Sequence, residues 1–497
     1  MDNTKRLHLE EEAARCLLCI DAPCSKVCKN GDPARAIRAI RFGNRALAAR
    51  WIADCSDDDL RTAEEACIHY DRPLRIRQMA KQLVTTADVP ETVPSLAITF
   101  CGIPCENPFF LASSAVCTNY EMVARAFDMG WAGVFYKTIC LDDIHEVSPR
   151  FDAVNNFSTE GDTAGNADFF GFRNMEQLSE NPAEVDFDIL HRLKTDYPSK
   201  VVVASIMGQT EEQWIELARM AEQSGVDAVE LNFSCPQMRI AGMGSDVGQN
   251  PELVTFYTSY VKRTVNIPVI PKMTPNITQI NSPAMGAYFA GADAISAINT
   301  IKSVTMARRA AVSAQKTISG YSGRAVKPIA LRHILEMTKN PLIKGVEFSG
   351  IGGIETWRDA LEFIQIGCRN VQVCTAVMQY GYRIIDDLCL GLQHYMAGRG
   401  VNSLEELVGE ELPNFVTPTD MDRDTIVYPK IDRDRCIGCG RCYTSCMDGG
   451  HQAISFDYET RQPRLIGTRC VGCHLCRLVC PTGAIGITRR IKKKDAV

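Results

Sequence analysis

Cys436, Cys439, Cys442 and Cys446 follow one another with two, two and three residues between them, and Cys470, Cys473, Cys476 and Cys480 repeat the pattern, with Pro481 next. At this spacing three thiolates wrap one face of a [4Fe–4S] cubane, and the fourth reaches across to the neighbouring cluster. One cluster therefore takes Cys436, Cys439, Cys442 and Cys480, and the other takes Cys470, Cys473, Cys476 and Cys446. Zinc is the alternative occupant, but its four-ligand sites seldom draw three cysteines from so short a run. Met447 stands where a proline would usually close the first run; the ligands themselves are intact. Paired clusters carry single electrons, so the chain needs a group that converts them into pairs, and a flavin does that.

Of the 22 cysteines, twelve fall in three groups, at 16–28, 436–446 and 470–480. The opening Met1-Asp2-Asn3-Thr4-Lys5-Arg6 lacks the apolar stretch of a signal peptide, and no run reaches the roughly 18 apolar residues a membrane span needs. A cytoplasmic chain with reduced thiols is expected, and metal ligation in place of disulfides. The net charge of −6 gives no nucleic-acid footprint, and the basic run at 489–494 reads as a solvated end. Neither a nucleic acid nor a membrane is expected as a partner.

Three regions must position these groups. Residues 1–85 are charged and helical in pattern, as at 33–49 and 58–67, and carry the first cysteine group. Residues 94–415 alternate short β-branched runs with amphipathic helices. Residues 425–490 are short-stepped, turn-rich and cysteine-dense. In the middle region, segments 109–115, 133–139, 201–207, 228–233, 268–273, 294–299, 347–350 and 371–375 read as buried parallel strands, with helices between most of them, as at 211–224 and 355–366. Eight such units predict an α/β fold, a closed (β/α)8 TIM barrel. An open doubly wound sheet is the alternative, weakened because no Gly-x-Gly-x-x-Gly opens a helix. Barrel chemistry sits at the carboxyl ends of strands. Polar residues collect there: Lys137 and Thr138, Asn232 with Ser234 and Cys235, Lys272, Asn299 and Thr300, Gly352 and Gly353, Cys374 and Thr375.

The stretch Asn232-Phe233-Ser234-Cys235-Pro236-Gln237, with Gly242-Met243-Gly244, Pro271-Lys272-Met273-Thr274-Pro275-Asn276, Ala297-Ile298-Asn299-Thr300 and Gly320-Tyr321-Ser322-Gly323, resembles the dihydroorotate and dihydropyrimidine dehydrogenase family. Joined to a two-cluster, ferredoxin-like α+β domain, it resembles the FMN-containing catalytic subunits of bacterial NAD-dependent dihydropyrimidine dehydrogenases, from about residue 95 to the C-terminus. The resemblance implies reversible reduction of uracil or thymine at the 5,6 bond. It places Lys137, Lys272, Ala112, Ser113, Thr138 and Asn232 along FMN, and Asn174, Asn232, Asn299 and Thr300 on the substrate. Barrels also bind phosphate after strands seven and eight, which suits Gly352-Gly353 and Cys374-Thr375, with Ser322-Gly323 nearby. The two lysines suit the electron-rich edge of a reduced flavin. Cys235 is the candidate acid, because a thiol near pKa 8.5 can deliver a proton close to neutrality; a small buried cysteine, as Cys368 and Cys389 are expected to be, is the alternative. Ser234 is placed to orient it, and residues 242–248 are glycine-rich enough for a lid.

Cys16, Cys19, Cys24 and Cys28 resemble the start of the helical iron–sulfur domain of dihydropyrimidine dehydrogenases and glutamate synthase small subunits, with only Cys55 and Cys67 following. One further [4Fe–4S] cluster is expected, on Cys16, Cys19 and Cys24 with Cys67 or Cys28; a zinc site or a degenerate, cluster-free relic is the alternative. With no dinucleotide fingerprint in the chain, the family solution is a separate partner subunit carrying FAD and NAD(H), forming a hetero-oligomer. Its electrons would pass through the clusters to FMN and the pyrimidine. A dihydroorotate dehydrogenase and a non-catalytic electron-transfer subunit are the rival readings.

Overall fold

The computed structural model describes residues 9–69, 71–83, 93–148, 150–155, 169–236, 238, 242–304 and 317–493. Gln237, Lys494 and the opening six residues lie outside them. Two compact units divide the chain at Leu412 and Pro413.

In the first unit, eight strands close into a barrel: β1 Phe109–Leu111, β2 Gly133–Phe135, β3 Val201–Ile206, β4 Ala228–Asn232, β5 Val269–Lys272, β6 Ala294–Ala297, β7 Glu347–Ile351 and β8 Cys368–Val373. Each pairs in parallel with its neighbour in sequence, and β8 returns to β1. The strands are as expected in number and order; most carboxyl ends are shorter because the pairing stops where the chain turns into its loop, while β7 ends one residue later and β8 begins three residues earlier. Every residue of β3 is buried, as helix-covered parallel strands require. The helices form for ordinary reasons. Thr210 caps helix Glu211–Gln223, whose buried Trp214, Leu217, Ala218 and Ala221 recur at i, i+3, i+4 and i+7. Thr356 and Asp359 make a capping box at the start of Trp357–Gln365.

The ends of the barrel are closed differently. A hairpin, Ile98–Phe100 with Ile103–Cys105, covers the amino end, where the Cys101 amide donates to Glu347 at the start of β7. Over the carboxyl end lies a four-stranded antiparallel sheet ordered Ile301–Ser303, Ser319–Ser322, Phe169–Asn174, Phe151–Asn155. The sequence reading contains none of these four strands. They come from the loops after β2 and β6, which lack the long apolar run of a core strand.

Among the described residues six short helices precede the barrel, from Leu9–Ala14 to Ile76–Leu83. The helical pattern at 33–49 breaks into Pro33–Arg41 and Arg45–Ile52, because Gly43 takes a left-handed conformation between them. Ile37, Ile40, Leu47, Ile52, Met79 and Leu83 give this region its own core. The second unit contains three short antiparallel strand pairs and helices Arg441–Gly449 and Leu475–Leu478, the α+β ferredoxin arrangement. Among the described residues no helix is long and apolar enough to cross a membrane.

Candidate active site and cysteine clusters

The strand ends of the barrel open into a cleft of about 1050 Å³, including its solvent-facing mouth. Ala112, Ser113, Lys137, Thr138, Lys272, Ser322, Gly323, Gly352, Gly353, Cys374 and Thr375 all line it, as do Asn174, Asn232, Cys235, Asn299 and Thr300. Ser234 is fully buried just behind the wall.

A polar network fixes these side chains. The Asn232 amide donates to Thr138 Oγ1 at 2.9 Å, and Thr138 pairs with Ser113 at 3.0 Å and Ser205 at 2.9 Å. Ser234 donates its hydroxyl to Asn232 Oδ1 at 2.7 Å and accepts from Asn299 Nδ2 at 2.9 Å. Three of the side chains that frame the Cys235 loop are thereby held in one geometry. The loop is also pinned from outside: the Ser245 amide donates to the Cys235 carbonyl at 2.9 Å. A Cβ on Gly248 would lie 1.9 Å from the Phe233 carbonyl oxygen, and one on Gly244 2.5 Å from that of Cys235. With Met243 and Val247 buried as well, residues 242–248 form a packed buttress under the cysteine. That differs from the free-standing lid their glycine content suggests, because the glycines are used for close backbone approach.

The two lysines are not bare cations. Lys137 Nζ lies 2.7 Å from Glu176, which also holds Arg150 at 3.2 Å. Lys272 lies 3.3 Å from Glu230, a fully buried carboxylate that also accepts from Ser205 at 3.0 Å and Ser296 at 2.8 Å. Such a carboxylate is held by its complete set of donors, and removing it strands a buried ammonium. Glu230→Ala is expected to cost about 3 kcal/mol of stability in urea denaturation, whereas Glu230→Gln keeps the shape of the carboxylate and costs less.

The sequence reading missed Glu176, Tyr321 and Glu230. Glu176 and Tyr321 sit in the capping loops, and both line the cleft. Glu230 alone had a signal: a carboxylate two residues before Asn232 in an otherwise apolar strand must share its inward face.

The cleft suits a flavin phosphate at one end. Gly352, Gly353 and Gly323 all have positive φ, and a Cβ on Gly353 would meet the Gly323 carbonyl and the Lys327 amide at 2.9 Å. Two loops thus bring bare backbone together beside the Ser322–Thr375 hydroxyl pair, 3.0 Å apart. This is the kind of amide cradle that accepts phosphate oxygens.

In the second unit the eight cysteines divide between two small cavities. Cys436, Cys439, Cys442 and Cys480 line one of about 340 Å³, with Ile431 and Ile485; Cys446, Cys470, Cys473 and Cys476 line another of about 330 Å³. Backbone amides already point at sulfur: Ala453 to Cys446 at 3.3 Å, Gly472 to Cys470 at 3.4 Å and Ala484 to Cys480 at 3.2 Å. Burial opposes ionisation of Cys480, yet the amides around it win and its pKa falls. That favours the thiolate a cluster requires.

Among the N-terminal helices, burial pushes the Cys16 thiol up, and neighbouring Cys19 and Cys67 add like-charge repulsion. Burial, then Cys16 and Cys67, takes Cys24 to about 11. Cys16, Cys24 and Cys67 all pack against the core of these helices. Cys28 places its sulfur 3.3 Å from that of Cys55.

Comparison with known proteins agrees with the barrel and the cysteine-rich C-terminal domain. Residues 95–396 match the family model described as dihydroorotate dehydrogenase, and residues 429–487 match a 4Fe-4S dicluster domain. The chain is 52% identical over 396 residues to the PreA subunit of the NAD-dependent dihydropyrimidine dehydrogenase of Escherichia coli, covering 78% of this chain and 94% of the relative. It is 39% identical over 344 residues to the chloroplastic NADP(+) dihydropyrimidine dehydrogenase of Arabidopsis thaliana, covering 67% and 80%. To the catalytic subunit of dihydroorotate dehydrogenase B (NAD(+)) of Pyrococcus abyssi it is 35% identical over 319 residues, covering 63% and 98%.

Proposed function

Because this chain belongs to the dihydroorotate dehydrogenase family and carries a 4Fe-4S dicluster domain, we propose that it reduces uracil or thymine reversibly to the 5,6-dihydropyrimidine. It is an oxidoreductase of the dihydropyrimidine dehydrogenase type. The observation that carries the reading is the convergence of Cys235 and the carboxamides of Asn174, Asn232 and Asn299 on one cleft, together with a phosphate cradle and two lysines.

FMN, when bound, supplies the hydride equivalent for one carbon of the double bond. Ala112, Ser113, Thr138, Lys137 and Lys272 would hold its ring, and the backbone at Gly323, Gly352, Gly353, Cys374 and Thr375, with Ser322, would hold its phosphate. Cys235 holds the proton on Sγ and delivers it to the adjacent carbon. Asn174, Asn232, Asn299 and Thr300 read the alternating donors and acceptors of the pyrimidine ring without adding charge. Ser234 keeps the loop in register through Asn232 and Asn299. The C-terminal domain would hold two clusters on the ligand sets given above, and Cys16, Cys19, Cys24 and Cys67 would hold one more; together they would supply single electrons. A partner subunit carrying FAD and the NAD(H) site completes a cytoplasmic hetero-oligomer. The three working regions are residues 1–85, 94–415 and 425–490.

Dihydroorotate chemistry is the rival, and its substrate bears a carboxylate. Among the described residues lining the cleft the cations are Lys137 and Lys272, and each already faces a carboxylate. That weighs against orotate. The test is anaerobic titration of the reduced, FMN-loaded chain with uracil, thymine and orotate, followed by flavin reoxidation. Rapid reoxidation by uracil or thymine is expected. Reoxidation by orotate alone would transfer the chain to dihydroorotate chemistry, and no response to any of the three would overturn the substrate class.

A further inference from the structure

Four neighbouring strands of the barrel meet at one carboxylate. Glu230 on β4 pairs in register with Ser205 on β3. Two residues on, Asn232 pairs with Lys272 on β5, and Lys272 with Ser296 on β6. Three donors reach Glu230: Lys272 at 3.3 Å, Ser205 at 3.0 Å and Ser296 at 2.8 Å. The carboxylate is fully buried and Lys272 nearly so, and of the two only Lys272 lines the cleft.

A carboxylate can only accept, so the direction of the surrounding hydrogen bonds follows from it. Ser205 commits its proton to Glu230, and Thr138, 2.9 Å away, must then donate to Ser205. The Thr138 oxygen is left to accept, which it does from the Asn232 amide at 2.9 Å and from Ser113 at 3.0 Å. One buried charge thereby settles which end of the Asn232 carboxamide faces Thr138 and which faces Ser234 beside Cys235. The same charge acts on Lys272. A cation lining the cleft favours the electrons that a flavin takes up, and an anion 3.3 Å behind it opposes them. In so dry an interior that opposition is little screened.

We propose that Glu230 sets the reducing power of the flavin site: it fixes Lys272 in place, cancels most of its charge, and so keeps the potential of bound FMN low. It is a positioning residue, acting through Lys272 and the hydroxyl chain. The inference rests on reading the cleft as the FMN site of a pyrimidine reductase. A low potential serves the reducing direction, in which the hydride equivalent passes to a carbon–carbon double bond.

The test is a spectroelectrochemical titration of the FMN-loaded full chain at pH 6, which favours the ammonium form of Lys272. Glu230→Gln keeps the shape and removes the charge. It is expected to raise the FMN potential by about 30 mV, a tenfold shift in a two-electron equilibrium. Glu230→Asp keeps the charge but draws it back from Lys272, giving a smaller rise in the same direction. Ser296→Ala removes a hydrogen bond and leaves the charge, so the potential stays where it was while the chain melts earlier. A merely structural carboxylate would lower stability in all three chains and move none of the potentials, and that result overturns the proposal. If the glutamine chain fails to hold FMN, the aspartate chain decides, and a potential equal to wild type again overturns it. The functional reading fails separately: a wild-type chain that holds FMN but is reoxidised by no pyrimidine has another substrate, and the order of the potentials still tests Glu230.

Discussion

Cys235→Ala is expected to bind FMN and take up reducing equivalents normally, yet to turn over uracil or thymine about 10²–10⁴-fold more slowly, the span that loss of a positioned proton donor covers. The separation follows from where the residue sits. Cys235 is 6% exposed, on the loop after β4, and lines the cleft. Apart from Asn232, the residues proposed to hold the flavin come from the ends of other strands and from the turn at Ser322 and Gly323, outside the Cys235 loop. Replacing the thiol removes the proton source and leaves the cradle at Gly323 and Gly353 intact. The check is stopped-flow absorbance of both half-reactions: flavin reduction unchanged, reoxidation by substrate slowed. Cys235→Ser sharpens the result, since a hydroxyl of similar size keeps the packing but is a far weaker acid. If the serine chain reoxidises at the wild-type rate, Cys235 fills space and the proton comes from elsewhere. Ser234→Ala should be milder, because it acts through Asn232 and Asn299 and leaves the thiol in place.

How much of this was legible before any coordinates depended on how far apart in sequence the cooperating residues lie. The C-terminal ligands are spaced by two and three residues, so the chain itself imposes their geometry. The division of Cys446 and Cys480 between the two cavities follows from the same local rule. The barrel's strand-end residues were legible because a parallel barrel delivers every strand end to one face. What stayed hidden was the set of contacts made between distant loops. Glu176 meets Lys137 across 39 positions, and Arg173 meets Ser319 across 146; no periodicity carries such information. The choice between Cys28 and Cys67 as fourth ligand beside Cys16, Cys19 and Cys24 was open for that reason, since it turns on the packing of distant helices. Residues 242–248 show the reverse error. Glycine has two uses, freedom and closeness, and the sequence does not say which is meant.

Anaerobic removal of iron from the holo chain is expected to unfold residues 413–497 while leaving residues 1–412 folded with FMN bound. The buried core of the second unit is small: Cys442, Cys446, Ala453, Ile454, Cys476 and Ile485 cluster together, with Ile426 and Ala484 buried as well. The three cysteines are proposed cluster ligands, and the remaining aliphatic part is three isoleucines and two alanines. A buried isoleucine contributes about 1.5–3 kcal/mol, far too little to order a domain of this length. Structural metal centres commonly supply on the order of 10 kcal/mol of folding free energy in small domains. On the proposed assignment the clusters would stand where the hydrophobic core would otherwise be. The barrel rests on a continuous apolar core that includes Trp131, Trp214 and Phe363, and nothing in it depends on iron. Limited proteolysis with mass spectrometry separates the outcomes. Cuts confined to residues 413–497 after chelation match the expectation, and protection of that region without iron would mean the domain holds together by its strand pairs alone. Cys480→Ser provides the graded version. That thiol lines the first cavity from the far end of the domain and is the proposed fourth ligand there, so its loss should open the first cavity and loosen the pairing of Pro429–Ile431 with Ile485–Ile487 before the second cavity is disturbed.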